Sequence, residues 1–524
     1  MSRVVDEINT DVRLRTQIEN VVYQLCNNPN VINYRLDIIT DLLNCPSLQA
    51  DFKSLLPHIR RLARYLEPRN SKGLHPFQAI AWRLETLNVY LETVQNLHLA
   101  LARVTDSLAS EGLQQLFVGL DALTNSDAFH SLAAELPNLK AAVNSVSSVA
   151  IGINLNADMR PCEAVLLSVG PQPYQQKPFL TRLLGLVSED DTLKGMGPFH
   201  SIFKTKPPIS ALEGIMFRDL NEILSTVLRQ VNKVISRYTR DECRFLLALE
   251  PAIDFYLGSV KLIRKLKNAG FSMCRPTIEP FGARKAILVD AYDMNLALKM
   301  IDTGRGSTDV VKNSISFDDD GRIYILTGPN KGGKTTFARS IGTVQALMQV
   351  GLYTPGTSAT ISPVDGIYTH FIEKEGVNTK EGRLGEEARR LAEIFHHATQ
   401  FSLILLNESL SSTSPGESLY LTKDIVKVMR YLGVRAVFAT HLHDLAACAD
   451  EINGRMPGGS RIVSIVSGMA DDGMTSLPVK RRRTYKIILG PPQGESFARD
   501  IAEENGISLD KLLQIVKKNS GMSD

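Results

Sequence analysis

The sequence contains few cysteines, no long apolar run and no excess of charge of either sign. Its 524 residues include six cysteines, and no two of them form a C-x-x-C pair. This scatter favours buried, reduced thiols over a disulfide framework or a zinc site. No apolar run approaches the ~20 residues of a membrane-spanning helix, and the N-terminus lacks the basic and apolar regions of a secretory signal. We therefore expect an intracellular, cytoplasmic protein without a membrane span.

The balance of charges says little about partners. The net charge is +3, and nucleic-acid binding depends on where positive charge clusters rather than on the total. The length predicts two or three domains, and 44% hydrophobic with 22% charged residues is typical of a globular chain. Two basic runs are candidate contacts to DNA phosphates: Lys261, Arg264, Lys265 and Lys267, and Lys480, Arg481, Arg482 and Arg483. Each run also fits a solvated face, so both interpretations stay open.

The first half of the chain is predicted to be helical and to contain two long rods. In residues 78–110 the apolar positions recur every three or four residues: Ile80, Leu84, Leu87, Leu91, Val94, Leu101, Val104 and Leu108. The same spacing returns in residues 217–238: Phe217, Leu220, Leu224, Val227, Val231, Val234 and Tyr238. This spacing indicates a buried stripe along one face of a helix. Such helices suit levers or an antiparallel helix pair.

A different pattern lies between the rods. Val149, Ile151, Ile153 and Leu155 alternate with small or polar residues, and another apolar segment follows at residues 163–169. Alternation with a period of two is typical of strands. We therefore predict a β-hairpin near residues 147–169, inserted into the helical region.

From about residue 275 short apolar runs alternate with helical segments. The runs at residues 287–289, 323–326, 403–406 and 436–438 are continuously apolar, as strands buried on both faces require. Helical segments separate the last three. This alternation predicts a parallel sheet built from βαβ units.

The most specific motif follows the run at residues 323–326 and matches G-x-x-x-x-G-K-[ST]. It predicts these nucleotide-binding residues: Gly328, Pro329, Asn330, Lys331, Gly332, Gly333, Lys334, Thr335 and Thr336. The glycines let backbone N–H groups turn toward a phosphate, and the N-terminus of the next helix adds partial positive charge. Lys334 is expected to neutralise the β- and γ-phosphates of ATP, and the Thr335 hydroxyl to ligate Mg²⁺. The strand before the motif and the helix after it argue against a chance match.

Asn407 and Glu408 end the run at residues 403–406. In P-loop ATPases an acidic residue here supports Mg²⁺, and a following glutamate polarises the attacking water. We therefore predict Thr335, Asn407 and Glu408 as metal-binding residues, although Asn407 is a neutral amide that weakens the electrostatic hold on the ion. The simpler alternative is that the pair merely ends a buried strand.

His441 follows the run at residues 436–438. The carboxyl ends of parallel strands meet at one edge of a sheet, so His441 is expected to reach the γ-phosphate as a sensor. Taken alone, a histidine here is more simply a polar cap. The convergence of three strand ends favours a catalytic set of Lys334, Glu408 and His441.

In sequence and order, these segments resemble the ATPase domain of the MutS mismatch-repair family. The resemblance extends over residues 275–507 and is carried by residues 327–335, 351–355, 361–369, 394–399, 407–408, 439–441 and 490–498. The helical half resembles the family's lever and core domains more loosely, through residues 30–37. The resemblance implies two facing ATPase domains, each completing the nucleotide site of the other with a serine-containing loop.

The sequence departs from the family pattern at three places. Gly382 stands where that serine is expected, which leaves its backbone N–H or Arg383 for the γ-phosphate contact. Asn407 is the second departure, and residues 409–414 replace an Ile-Gly-Arg-Gly-Thr-Ser run. Because the chain begins in helical material, we also expect the mismatch-reading N-terminal domain with its Phe-x-Glu wedge, and the connector after it, to be missing. A C-terminal nuclease-like extension is likewise not expected.

The expected fold is an α/β P-loop ATPase domain of the ABC and MutS type with a mostly parallel sheet. A mainly α-helical lever and core region with a small β insertion precedes it. We place the helical region at residues 1–275. The ATPase domain, with a C-terminal helical tail, is placed at residues 276–524.

The resemblance implies an ATP-dependent DNA-binding protein of mismatch repair or recombination. ATP and Mg²⁺ would switch a helical clamp on DNA, in a homodimer. One alternative is a regulatory or scaffold protein that binds nucleotide, hydrolyses little and does not bind DNA; Asn407 and Gly382 favour it. A transporter ATPase subunit is weaker, because no Leu-Ser-Gly-Gly-type signature occurs between residues 334 and 407.

Overall fold

The computed structural model describes residues 1–9, 11–66, 76–144, 148–159, 161–170, 240–371, 382–470, 482–492 and 506–520. The rod predicted at residues 217–238 lies outside this part. The chain divides into two compact units. The first comprises Met1–Pro46, Leu108–Gly112 and Asp254–Asp524, and the second comprises Ser47–Ser107 and Leu113–Ile253. The single boundary at residue 275 stays a prediction.

The helices in the described part of the chain are as follows. They are α1 (Ser2–Ile8), α2 (Arg15–Tyr23), α3 (Pro29–Asn44), α4 (Pro46–Leu66), α5 (Pro76–Ala102), α6 (Glu111–Thr124), α7 (Asp127–Asn144), α8 (Arg240–Asn268), α9 (Met294–Asp302), α10 (Lys334–Val350), α11 (Arg383–His397), α12 (Pro415–Leu432), α13 (His443–Ala447), α14 (Ala449–Arg455) and α15 (Leu509–Ser520).

The strands are shorter and most lie in the first unit. They are β1 (Ser148–Leu155), β2 (Pro161–Gly170), β3 (Met273–Cys274), β4 (Thr277–Ile278), β5 (Ala286–Ala291), β6 (Asn313–Phe317), β7 (Ile323–Thr327), β8 (Thr354–Pro355), β9 (Ser358–Ile361), β10 (Ile367–Phe371), β11 (Leu403–Asn407), β12 (Arg435–Ala439), β13 (Ile462–Ala470) and β14 (Arg482–Leu489).

The main sheet of the first unit has the strand order β10-β11-β12-β7-β13-β14. The first five strands are parallel neighbours, and β14 pairs antiparallel with β13. β7, β11 and β12 are buried at all five of their positions. Strands covered on both faces must be continuously apolar, which explains why these segments are apolar in sequence. The first unit is therefore α/β with a mostly parallel sheet.

The run at residues 287–289 does not belong to this sheet, and here the prediction is wrong. It lies in β5 of a separate four-stranded sheet with the order β4-β9-β5-β6. β5 pairs antiparallel with both β6 and β9. Three of its six positions are buried and three are half-buried, so β5 is less covered than the central strands of the main sheet.

Local sequence sets the bounds of helix α12. The Ser414 hydroxyl accepts a hydrogen bond from the Glu417 backbone N–H (3.4 Å), and Pro415 occupies the first turn. Gly433 ends the helix with a positive φ of 84°. A hydroxyl cap, proline at the start and a left-handed glycine at the end are the ordinary signals of helix termini. α12 thereby returns the chain from the end of β11 to the start of β12.

The second unit contains most of the long helix predicted at residues 78–110. α5 ends at Ala102 rather than at residue 110, so the predicted length is wrong. The hydroxyls of Thr105 and Ser107 donate to the carbonyls of Leu101 and Val104 (3.0 and 2.7 Å), where a 3₁₀ turn follows.

The alternating segment near residues 147–169 contains an antiparallel pair. β1 pairs with β2, with register irregularities between Ala150 and Ile151 and between Asn154 and Leu155. The pair lies where the alternation predicts a hairpin.

No helix in the described residues is both long and apolar enough to cross a membrane. Among the cysteines with described side chains, Cys26, Cys45, Cys274 and Cys448 form no disulfide bond. Only Cys45 of these four is buried, so the expectation of buried thiols is wrong for the other three.

Candidate functional site

The loop between β7 and α10 has the backbone that the glycine motif predicts. Gly328 and Gly333 have φ values of 140° and 90°. A Cβ atom on Gly328 would lie 2.8 Å from Ser467 Cβ, and one on Gly332 would lie 2.9 Å from the Pro329 carbonyl oxygen. Side chains at these positions would meet steric conflict, because 2.8–2.9 Å is shorter than ordinary carbon contacts. Glycine is therefore required for this curl of the chain.

Lys334 lies inside this loop. It is 4% exposed, and its Nζ donates to the carbonyl oxygens of Gly328 (2.8 Å) and Pro329 (3.1 Å). Burial lowers the pKa of the Lys334 ammonium, and the nearby Glu408 carboxylate raises it in part. Within the described residues, the hydrogen-bond acceptors of this ammonium are neutral carbonyls. A buried cation with neutral partners is well suited to receive an anion.

Thr335 connects the loop to the end of β11. Its hydroxyl donates to the side-chain oxygen of Asn407 (3.0 Å), and Asn407 is 7% exposed. The two predicted metal-binding oxygens therefore lie next to each other. Thr336 is the third residue of α10, Lys331 is exposed with a positive φ of 60°, and Asn330 is also exposed.

Glu408 and His441 meet at the same edge of the sheet. Glu408 Oε1 lies 2.9 Å from His441 Nε2. The hydrogen bond from His441 lowers the pKa of Glu408, whereas burial raises it. The Glu408 backbone N–H donates to the Ala439 carbonyl oxygen of β12 (2.8 Å). The carboxyl ends of β7, β11 and β12 therefore bring Lys334, Glu408 and His441 together, as the sequence predicts.

A cleft of about 430 Å³ opens beside this loop. Residues 331–335, Thr336 and Glu408 form one wall, and Asp293, Asn313 and Tyr485 contribute from elsewhere in the first unit. These last three residues are not among those predicted from the sequence. Asp293 caps helix α9 by accepting from the backbone N–H groups of Asn295 and Leu296 (2.8 and 3.2 Å), and burial raises the pKa of its carboxyl.

Asn313 and Tyr485 reach the cleft through a long-range contact. Asn313 Nδ2 donates to the Tyr485 carbonyl oxygen (3.2 Å), and Asn313 Oδ1 accepts from the Ile487 backbone N–H (2.8 Å). Tyr485 has a positive φ of 56° on the edge strand β14. An aspartate ahead of an apolar segment is a helix-cap signal that marks Asp293. No comparable signal marks Asn313 or Tyr485, because their proximity depends on residues 172 positions apart.

Other predicted residues lie outside the cleft. Gly382 precedes α11 in open space, with nothing within 4 Å of a Cβ built there. Arg383 forms an ion pair with Glu387, with 3.5 Å between Arg383 Nε and Glu387 Oε1. Within the described part of the chain, neither residue lines the cleft beside the loop at 328–335.

The first basic run is partly occupied by contacts within the first unit. Lys265 Nζ lies 2.5 Å from Glu7 Oε1, and Lys267 Nζ lies 5.7 Å from the centre of the Tyr353 ring. Lys261 is exposed and Arg264 is half-buried. Of the second run, Lys480 and Arg481 lie outside the described residues, and Arg482 and Arg483 begin β14.

Comparison with known families gives two matches along this chain. The family model described as MutS2 N-terminal domain matches residues 27–269, and the model described as MutS domain V matches residues 324–457. The second match contains the loop at 328–335, Glu408 and His441. Together the two matches cover well over half of the chain.

Known relatives carry related names. The "Endonuclease MutS2" of Thermus thermophilus is 31% identical over 194 residues, covering 37% of this chain and 24% of that protein. The "Endonuclease MutS2" of Staphylococcus epidermidis is 31% identical over 258 residues, covering 49% of this chain and 29% of that protein. The "DNA mismatch repair protein MutS" of Prochlorococcus marinus is 22% identical over 463 residues, covering 80% of this chain and 47% of that protein. This chain thus spans less than half the length of each of these relatives, and with two domain matches along its length it belongs to the MutS family.

Proposed function

We propose that this chain is an ATP-dependent DNA-binding protein of the MutS type. ATP binding and hydrolysis in a dimer would switch a helical clamp between open and closed forms on DNA. The observation that carries the proposal is the position of Lys334, whose buried ammonium contacts the Gly328 and Pro329 carbonyls at the start of α10. A buried cation at a helix N-terminus, within a loop that only glycine permits, favours a phosphate ligand.

The residues present fit ATP and Mg²⁺. Backbone N–H groups of the loop at 328–335 and the Lys334 ammonium would hold phosphate oxygens, and the adjoining 430 Å³ cleft has room for the rest of a nucleotide. Thr335, Asn407 and Glu408 offer oxygen ligands of the kind that Mg²⁺ prefers. When bound, Mg²⁺ would neutralise charge on the phosphates.

Glu408 is the group proposed to take the proton of the attacking water. Its lowered pKa keeps the carboxylate ionised at neutral pH, but it also makes the carboxylate a weaker proton acceptor. The partner responsible is His441, at 2.9 Å. A phosphate oxygen that competes for the His441 N–H would release Glu408 and raise its basicity. His441 would thereby act as a sensor of the γ-phosphate.

The clamp and the DNA are the finer part of this proposal. Helix α5 has 27 residues and a length of ~40 Å at 1.5 Å per residue, which suits a lever. The relative from Prochlorococcus marinus is named for DNA mismatch repair, and basic residues such as Lys261 are available for phosphate contacts. ATP must bind the closed form of the dimer more tightly than the open form, because a ligand shifts an equilibrium only by its differential affinity.

One alternative is a protein that binds ATP but hydrolyses it very slowly. Asn407 supplies an amide oxygen, bonded to Thr335, where a carboxylate would attract Mg²⁺ more strongly. Weak metal binding favours a regulatory or scaffold protein that holds ATP, hydrolyses it slowly and contacts protein partners instead of DNA.

Steady-state ATP hydrolysis by the wild type and the Glu408→Ala variant distinguishes the proposed ATPase from the regulatory or scaffold protein. Loss of a general base lowers turnover by about 100-fold or more, while binding of a fluorescent ATP analogue should persist because Lys334 remains. Glu451→Ala is the matched control, since Glu451 forms an ion pair with Arg455 on helix α14 and does not line the cleft. Equal and negligible hydrolysis rates for the wild type and Glu408→Ala would contradict the proposal that the chain is an ATPase. The regulatory or scaffold alternative would then remain.

A further inference from the structure

The turn that follows β11 has an unusual backbone. Glu408 and Leu410 have φ values of 55° and 60°. Neither is glycine, and the left-handed region is uncommon and strained for residues with side chains. Such a conformation persists only when surrounding contacts determine it. The contacts that hold this turn therefore also decide where Glu408 points.

Helix α11 holds the last residue of the turn. The Leu410 backbone N–H donates to Glu387 Oε2 over 2.7 Å. Both residues are buried, with exposures of 3% for Leu410 and 8% for Glu387. The Leu410 side chain also belongs to the apolar core that contains Leu391 and Ile394 of the same helix. A short bond from a carboxylate to a backbone N–H is charge-assisted and stronger than a neutral one.

Neighbouring strands hold the other two residues of the turn. Ser409 Oγ lies 2.7 Å from His370 Nδ1 on β10, and both side chains are buried. The Glu408 backbone N–H donates to Ala439 on β12 (2.8 Å). Residue 408 is thus held from β12, residue 409 from β10 and residue 410 from α11. Of these three hydrogen bonds, the one to Glu387 comes from a helix rather than from the sheet.

We propose that Glu387 is a positioning residue for hydrolysis, which holds the turn at 408–410 so that Glu408 faces the loop at 328–335. The inference rests on the proposed ATPase function, and it concerns a residue outside those assigned to the nucleotide and the metal. Its carboxylate also forms a 3.5 Å ion pair with Arg383, and its charge raises the pKa of the His370 imidazole in part, against the larger lowering by burial. The acceptor oxygen toward Leu410, rather than the charge alone, is the feature that matters.

Three substitutions at this position separate the acceptor from the charge. Glu387→Gln keeps a side-chain oxygen at the same reach and loses the charge. Glu387→Asp keeps the charge but is shorter by one methylene, so it cannot span to the Leu410 N–H without a shift of the helix. Glu387→Ala loses both. The neighbouring Glu386→Ala is the matched control, because Glu386 pairs with Arg390 (2.7 Å) on the same helix, whereas the bond to the Leu410 N–H is made by Glu387.

The experiment measures single-turnover hydrolysis, the dissociation constant of a fluorescent ATP analogue and the thermal midpoint for all five proteins. Glu387→Ala and Glu387→Asp should hydrolyse about 100-fold more slowly with nearly unchanged nucleotide affinity, since a misplacement of about 1 Å can cost that much. Glu387→Gln should recover most of the rate, and Glu386→Ala should match the wild type. If Glu387→Ala does not fold, the comparison of the Gln and Asp variants still tests whether hydrolysis requires the acceptor oxygen at this reach.

Two comparisons of hydrolysis rates would overturn the inference. One is a hydrolysis rate for Glu387→Asp equal to that of Glu386→Ala, and the other is a loss for Glu387→Gln as large as that for Glu387→Asp. A parallel loss of nucleotide affinity and thermal stability in every Glu387 variant would also overturn it, because the role would then be structural only. A wild type without hydrolysis above Glu408→Ala would remove the proposed function as well. Normal wild-type hydrolysis with insensitive Glu387 variants would remove only the positioning role.

Discussion

The side-chain hydroxyl of Thr335 donates a 3.0 Å hydrogen bond to the side-chain oxygen of Asn407. The bond joins the start of α10 to the end of β11, although the two residues are 72 positions apart. Asn407 is buried and neutral. A divalent ion near this pair would meet the amide dipole and hydroxyl oxygen instead of the full charge of a carboxylate.

Replacing this amide with a carboxylate should strengthen metal binding. In Asn407→Asp the oxygen toward Thr335 is kept and a negative charge is added, which attracts a divalent cation more strongly than an amide dipole does. We expect the Mg²⁺ concentration for half-maximal ATP hydrolysis to fall by about tenfold, equivalent to about 1.4 kcal/mol. Titration of hydrolysis with Mg²⁺ at saturating ATP measures the change. An unchanged Mg²⁺ requirement would mean that Asn407 does not contact the ion.

A single methyl group at Gly328 should damage both the fold and the nucleotide site. The residue has a φ of 140°, and a Cβ atom would approach Ser467 Cβ to 2.8 Å. Gly328→Ala should lower the free energy of unfolding by about 1–3 kcal/mol, the usual cost of backbone strain, and weaken ATP binding. Denaturant unfolding and nucleotide titration measure the two effects.

The control for this substitution is Gly416→Ala in helix α12, where a Cβ atom has nothing within 4 Å. Alanine is favoured over glycine inside helices, so this variant should be as stable as the wild type or slightly more stable. If the two variants unfold alike, the loop does not require glycine at residue 328.

The pair of Glu408 and His441 predicts a pH dependence. The hydrogen bond from His441 lowers the pKa of Glu408 below its ordinary value, so the wild-type carboxylate stays ionised to lower pH. In His441→Ala the pKa should rise, and the acid limb of kcat/KM should move to higher pH. The same sign holds for folding. The stability that Glu408 gains from His441 is present above its unfolded pKa and is lost as the pH falls through the lowered folded pKa.

Pre-steady-state hydrolysis at ATP concentrations below saturation measures the acid limb of the free enzyme even when turnover is slow. The range from about pH 4 to 8 covers the titration of carboxyl groups. An acid limb at the same pH in both proteins would contradict the assignment of Glu408 as the base held by His441.

The sequence predicts the core of the site because its signals are local. A continuous apolar run followed directly by Gly328 or Asn407 predicts both a buried strand and the residue at its carboxyl end. Parallel strands bring such ends together at one edge of the sheet. Pairing between distant segments has no such signal. The strand at residues 287–289 is therefore predicted correctly as a strand but assigned to the wrong sheet. Asn313 and Tyr485 are missed for the same reason, since their contact joins residues 172 positions apart.

The end of α5 is missed for a different reason. The apolar spacing continues through Val104 and Leu108, and periodicity alone predicts one helix across them. The hydroxyls of Thr105 and Ser107 bond to backbone carbonyls there. Periodicity of apolar residues does not mark where a helix ends, and here the helix gives way to a 3₁₀ turn at Thr105–Ser107.

DNA binding can be tested through its dependence on salt. Within the first basic run, Lys265 is paired with Glu7, and Lys267 lies against Tyr353. Lys261 and Arg264 are then the side chains of this run expected to contact phosphates.

If each neutralises one phosphate, the slope of log affinity against log salt should fall by about 1.8 in the double variant Lys261→Ala/Arg264→Ala, at about 0.9 per contact. Lys265→Ala should leave the slope unchanged, because its ammonium already has a carboxylate partner. Mobility assays with duplex, mismatched and branched DNA, with and without ATP, supply the measurement, and a wild-type affinity that does not vary with salt would contradict binding through phosphates.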